Sequence, residues 1–254
     1  MSYQSDLTKP EWKMVRGFFA RRASRGRKPT HPLRYIVEAI FYLVRSGCQW
    51  RMLPRHFPAW QTVYGYFRRW NLSGIWEQVL DELNRKRRLR LGKKASPSYG
   101  IIDSQSVKTI YASEDIGIDG GKKTKGRKRH HVVDTLGHLL HVSVHAGNTH
   151  DTKAAPAVLA RVAEKFPRIA AFSADAGYRG TTVNYVESRL KLACHISTKI
   201  KDGFAVLPKR WVVERTFAWI GNFRRLSKDY EILTGTAENI VRLAMIKIML
   251  GKLC

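Results

Sequence analysis

Leu139-Leu-His-Val-Ser-Val-His145 decides how the second half of the chain is read. Leu140, Val142 and Val144 alternate with His141, Ser143 and His145, the two-residue period of a half-buried strand. Leu136-Gly137 just ahead supplies a turn, so Arg129 to Asp134 becomes the other arm of a hairpin. Upstream, Tyr99 to Val107 reads as a further strand. Downstream, Asp151 can cap a helix carrying Ala154, Val158, Leu159 and Val162. A strand from Ile169 to Ala174, a helix around Val183 to Leu190 and a short strand from Cys194 to Ser197 follow. Three strands, then helix, strand, helix and strand, predict an α/β domain on a mixed sheet.

Ahead of residue 95 the period is helical. Thr8-Lys-Pro-Glu11 has the capping pattern of a helix start, and Trp12, Val15, Phe18 and Phe19 recur at helical spacing behind it. A second helix from Leu33 places Ile36, Val37, Ile40, Phe41 and Val44 on one side and ends at Gly47. A third has Trp60, Val63, Tyr64 and Phe67 on its apolar side, with Gln61, Thr62, Arg68 and Arg69 opposite. A fourth runs from about Ser73 towards Leu91. We read residues 1–95 as an all-helical, helix-turn-helix-like DNA-binding domain whose third helix presents Arg68 and Arg69 to DNA. Residues 85–94 hold seven basic side chains in ten and mark the boundary to the domain at 96–254.

The charge balance points to a polyanion. Lys and Arg number 46 against 20 Asp and Glu, a formal net charge of +26, and nucleic acid is the usual partner of such a fold. No apolar run approaches the roughly 20 residues of a membrane span. The N-terminus lacks a secretory pattern, and Cys48, Cys194 and Cys254 form no Cys-x-x-Cys, which together predict a cytoplasmic protein without a disulfide framework. Two basic stretches are candidate phosphate contacts. One is Arg21 to Lys28, including Arg27, and the other is a mobile basic loop from Gly117 to Lys128 carrying Lys122, Lys123, Lys125, Arg127 and Lys128. The second lacks the spacing of a nucleotide-binding P-loop. Six of nine histidines fall between His130 and His150, but His141 and His145 occupy the polar side of an alternating strand with no Cys beside them, so no zinc site is assigned.

Acidic residues are scarce, so those at strand ends stand out. Ile101-Ile102-Asp103 puts a carboxylate at the end of an apolar strand opening, and Ala170-Ala-Phe-Ser-Ala-Asp175 does the same. If the two strands are neighbours the carboxylates converge, and a pair of hard oxygen ligands on a basic chain suits Mg²⁺ or Mn²⁺. In Arg210-Trp-Val-Val-Glu-Arg-Thr-Phe-Ala-Trp219 and the residues after it, a helix gathers Val212, Val213, Thr216, Phe217 and Ile220 into one apolar arc. Arg210, Glu214, Gly221, Arg225 and Lys228 fall opposite. Taken alone, Glu214 is a surface carboxylate paired with Arg210 one turn back. Taken with Asp103 and Asp175 it is a third metal ligand, and two cations about 3.5–4 Å apart can activate a nucleophile and stabilise a leaving oxygen.

Gly47-Cys-Gln-Trp-Arg-Met-Leu-Pro54, Ile102-Asp-Ser-Gln-Ser-Val-Lys108, Gly126-Arg-Lys-Arg-His-His131, Asp175-Ala-Gly-Tyr-Arg-Gly180 and the segment from Arg210 to Trp219 occur in family order. Through them the chain resembles the DDE transposases of bacterial insertion sequences, in the insertion sequence five family. The resemblance implies a ribonuclease H-like catalytic fold with Asp103, Asp175 and Glu214 as catalytic metal ligands for two Mg²⁺ or Mn²⁺ ions. It also implies cleavage at transposon ends, attack of the freed 3′-hydroxyl on target DNA, and a homo-oligomer on terminal repeats and target duplex. The related signature Tyr-x₂-Arg-x₃-Glu-x₆-Lys is matched by Arg210 and Glu214, while Leu207 and Gly221 stand at the Tyr and Lys positions. Arg224, Arg225 and Lys228 are the nearby candidates for the missing cation. A catalytically silent DNA-binding regulator and a structure-selective nuclease are the rival readings.

Overall fold

The computed structural model describes residues 3–20, 30–197 and 210–254, with Arg210 described by its backbone alone. Four helices come first: α1 (Lys9–Phe19), α2 (Leu33–Ser46), α3 (Trp60–Leu72) and α4 (Ile75–Arg90). The expected capping box opens α1, with Thr8 accepting from the amide of Glu11 and Glu11 reaching back to the amide of Thr8. Helix α2 stops at Gly47, whose φ of +73° and amide bond to the Leu43 carbonyl make a left-handed C-cap.

The sheet follows: β1 (Tyr99–Lys108), β2 (Gly117–Asp119), β3 (Thr124–Val133) and β4 (Leu139–Ala146), then α5 (Asp151–Lys165), β5 (Ala171–Ala174), α6 (Thr181–Ser188) and β6 (Ala193–Ile196). Strand β3 pairs antiparallel with β1 on one side and β4 on the other, and β5 and β6 extend the sheet in parallel beyond β1. An antiparallel meander continued by two parallel strands through helical crossovers is the mixed sheet that the sequence predicted, and the fold is ribonuclease H-like. Helices α7 (Arg210–Gly221) and α8 (Thr234–Leu253) complete the chain.

Alternation along β1 sorts two cores. Ile102 faces α5 and α6 with Val132, Leu140, Val158 and Phe172. Ile101 faces the other way with Val133 and Val142, against α7 and α8. Helix α8 is buried on nearly all sides, and its second surface packs on α4 and α2. The N-terminal helices and the sheet therefore share one apolar cluster.

Four expectations are corrected. The Gly117 to Lys128 stretch is a hairpin rather than a mobile loop, because β2 pairs with the start of β3 and Asp119 accepts from the amides of Gly121 and Lys122 in the turn. Strand β3 accordingly begins at Thr124, ahead of the expected Arg129. Helix α5 is capped by His150, whose ring accepts from the Thr152 amide, so Asp151 is its first residue and not its cap. Helix α7 ends at Gly221, where Asn222 donates back to the carbonyls of Ala218 and Trp219, and Arg224–Leu226 form a separate 3-10 turn. Arg225 and Lys228 thus leave the helical stripe that carries Glu214.

Candidate active site

Strands β1 and β5 pair with a constant offset of 72 residues: Tyr99 with Ala171, Gly100 with Phe172 and Ile101 with Ser173. Carried two residues beyond the last pair, the same offset (175−103 = 72) relates Asp103, inside β1, to Asp175, the residue that follows β5. The Asp103 carboxylate accepts from the amide of Ser104 at 2.7 Å. Asp175 accepts from the amide of Gly177 at 2.8 Å and so caps the turn that follows β5. Tyr178, in that turn, is buried in the core on the α5 side of the sheet. Burial raises its phenol well above its usual pKa, and the charges of Asp151, Asp103 and Asp175 add to the rise. It therefore stays neutral and contributes no competing charge.

Asp103 lies on the sheet face of Ile101, the face that α7 covers. Its cross-strand partner His131 packs edge-on against Phe217 of α7, ring centroids 5.0 Å apart. Glu214 stands just under one turn ahead of Phe217 and is exposed, while Val212, Val213, Thr216 and Ile220 are buried as the apolar arc required. Strands β1 and β5 that lead to Asp103 and Asp175 are thus neighbours, and the helix of Glu214 lies over the Asp103 face of the sheet. Among the described residues, no three His, Cys, Asp or Glu side chains are close enough to hold a metal ion.

The candidate phosphate contacts divide. Arg68, Arg69, Lys122, Lys123 and Lys228 are exposed. Arg127 is 0% exposed, paired with Asp229 at 3.3 Å and donating to the carbonyls of Glu114, Glu231 and Ile232. Lys128 is 7% exposed and lies 3.1 Å from Asp151 and 3.7 Å from Asp119. Arg225 is buried, donating to Glu231 at 2.7 Å and to the Cys48 carbonyl. These three cations are internal partners, which removes them from the DNA surface and Arg225 from the candidates for the missing signature Lys. Arg27, Leu207 and the Arg210 side chain, with any Arg210–Glu214 pair, lie outside the described residues.

Residues 94–249 match the transposase DDE domain family, which is more than half of the chain. The chain belongs to the DDE transposase family. Residues 7–80 match a putative transposase family of the IS4/5 group, so both parts of the chain carry the same family signal. A curated relative, the uncharacterized protein y4sN of Sinorhizobium fredii, is 29% identical over 80 residues, which are 32% of this chain and 64% of that protein. The chain thus spans under two thirds of that relative's length. A solved Mos1 transposase paired-end complex with left transposon end aligns over 83% of both chains at 12% identity, with a TM-score of 0.27. That likeness is too loose to inform the site. Among the described residues no helix of the transposase is long and apolar enough to cross a membrane. DDE transposase domains use divalent metal ions. The donor set fits such an ion in its chemistry, because Asp103 and Asp175 offer hard carboxylate oxygens from adjacent strands β1 and β5.

The reading from sequence missed one part of the transposase's site. On the α5 side of the sheet, Asp151 accepts from Ser104 and Lys128, both at 3.1 Å, and stands 3.4 Å from His130. His130 in turn shares a 2.7 Å hydrogen bond with His145. Burial alone would raise the Asp151 carboxyl, but His130 and Lys128 outweigh it and hold it well below the usual carboxylate range. This network backs the strand that carries Asp103. The signal available was the alternation Lys128, His130 with Ser104, Ser106, which places four polar side chains on one buried face.

Proposed function

We propose that the chain cuts DNA at the ends of a mobile element and joins the freed 3′-hydroxyl to target DNA, with Asp103, Asp175 and Glu214 as the acids that hold two divalent cations. The observation that carries this reading is the parallel pairing of β1 and β5 at a 72-residue offset, the same separation as that between Asp103 and Asp175. Bound ions would supply an activated nucleophile and stabilise the leaving oxygen. The protein's own part is positioning. The Ser104 and Gly177 amides orient the two aspartates, and α7 carries Glu214 above them. Lys122 and Lys123 from the β2–β3 hairpin, with Lys228, grip the backbone of the strand being cut. The helical region through residue 95 engages the terminal repeats, with Arg68 and Arg69 of α3 on the duplex, and a homo-oligomer brings two ends together.

End cleavage is measured on duplex bearing the cognate terminal repeats with Mg²⁺, for wild type and Glu214→Gln. We expect a loss of at least about a hundredfold in rate, the scale of removing a group that stabilises charge in the transition state. Undiminished cutting by the variant would remove Glu214 from the site. Strand-transfer products distinguish a transposase from a structure-selective nuclease.

A further inference from the structure

A groove of about 510 Å³ runs between the helical region and the loops beyond the sheet. One wall is a single face of α3 with Trp60, Tyr64 and Arg68 at i, i+4 and i+8, so Arg68 shares the face of Trp60 and Tyr64 rather than the opposite side expected from the sequence. Tyr111 and Tyr230 come from the opposite wall, and Trp50 and Arg51 lie at the base of α3. The volume is that of a site for a small organic group. Tyr64 is 42% exposed and Tyr111 is 51% exposed, which for rings lining a concave surface means faces open to an occupant.

The charge of the groove selects among occupants. Among the described residues its one lining carboxylate, Glu231, is buried and bonded by Arg225 at 2.7 Å. Arg51 and Arg68 are exposed, and neither forms an ion pair among the described residues. Arg51 instead lies over the Trp60 ring, 5.1 Å from its centroid. The groove therefore offers aromatic faces under two uncompensated guanidinium groups, in a chain of formal charge +26. That pairing suits a strand of unpaired nucleotides, whose bases stack on rings while the phosphates meet arginine. A duplex turns its bases inward and cannot present their faces to the bottom of a cleft.

We infer that this groove binds unpaired bases of a DNA strand, at a site separate from Asp103 and Asp175, with Tyr64 and Tyr111 as stacking platforms and Arg51 on phosphates. The inference rests on the reading that DNA is the substrate, and it gives the protein a means of holding a strand once it leaves the duplex.

The test is binding of the full chain to a fluorescent oligothymidylate and to a duplex of equal length, in EDTA so that no metal site contributes. Tyr64→Ala and Tyr111→Ala are each expected to weaken oligothymidylate binding about tenfold, the scale of removing one stacking ring, and to leave duplex binding unchanged. Tyr111→Phe keeps the ring and is expected to bind as wild type. Tyr111 is exposed, so the thermal melt of Tyr111→Ala should match wild type, while Tyr64→Ala, which loses ring contacts with Trp50 and Phe67, is compared at a temperature where its melt shows it fully folded. Unchanged oligothymidylate affinity in both alanine variants overturns the inference, as does an equal loss on duplex. A fall in the mass of the DNA-free protein, with single-strand binding intact, assigns the groove to a second copy of the chain instead. Glu214→Gln is expected to bind oligothymidylate normally. Failure of wild-type end cleavage with tyrosine-dependent oligothymidylate binding retained would reject the proposed function and leave the groove standing.

Discussion

Lys128 carries its charge into the protein because Asp119 and Asp151 flank it there. Replacing it with Met leaves two carboxylates facing each other, so Lys128→Met should cost about 3–5 kcal/mol, read as a lower urea midpoint at unchanged slope. Adding Asp151→Asn should recover part of that loss, since the two side chains touch. Exposed Lys122 and Lys123 behave differently. Each alanine replacement should reduce the slope of log affinity for DNA against log salt by about 0.9, the effect of leaving one phosphate without its cation, with no change in melting temperature. An unchanged slope would take that lysine off the DNA. The sequence distinguished none of this among neighbouring basic residues. The parallel pairing of the strands that lead to Asp103 and Asp175 was within reach of the sequence, because a carboxylate following an apolar run is rare in this chain. Arg127 was misread because its acceptors, the carbonyls of Glu231 and Ile232, lie more than a hundred residues away in sequence.

At the scale of elements, glycine separates strand from helix. A Cβ on Gly126 would sit 2.0 Å from the Val107 carbonyl, where β3 crosses the end of β1. Gly126→Ala should therefore cost about 3 kcal/mol or more by forcing the β1–β3 ladder apart. Gly17, exposed in α1, has open space for 4 Å around the position a methyl would take, so Gly17→Ala should stabilise by about 0.5–1 kcal/mol. Denaturation midpoints of the two variants moving the same way would contradict this account. The periodic elements were the readable ones, as with β4 and its alternating Val142 and Val144. The β2–β3 hairpin was hidden because its lysines and arginines suggested solvent, and the end of α7 was hidden because the apolar arc continues in phase to Ile220 before Asn222 bonds back on the helix.

At the scale of the whole molecule, stability should fall in acid for a specific reason. Burial, with the charge of Arg129, lowers the His131 pKa to about 3, and burial, with the charge of Arg242, lowers that of His141 to about 4. The unfolded chain protonates both below about pH 6.5 while the folded chain does not. Stability is then lost as the pH falls from there, by at most about 1.4 kcal/mol per pH unit for each group. Asp81 works in the opposite sense, because burial raises its pKa to about 6 and the folded state takes up its proton first. Glu238, raised by burial, acts with Asp81, and His145, lowered by burial, acts with the other two histidines, so three histidines against two carboxyls leave a net loss as the pH falls below about 6.5. His141→Gln should flatten the dependence of the urea midpoint on pH, and an unaltered profile would show that His141 does not set it. The same view of the molecule gives helix α8 a role in time. It follows every other described element, yet both α2 and α4 on one side and the sheet on the other are closed by its apolar surface. Until residues 234–253 have been synthesised, a nascent chain must hold those faces uncovered, and contacts so distant in sequence form slowly. A reading frame interrupted before residue 234 should yield aggregate or protease substrate, leaving no partial protein to compete with intact copies for DNA ends.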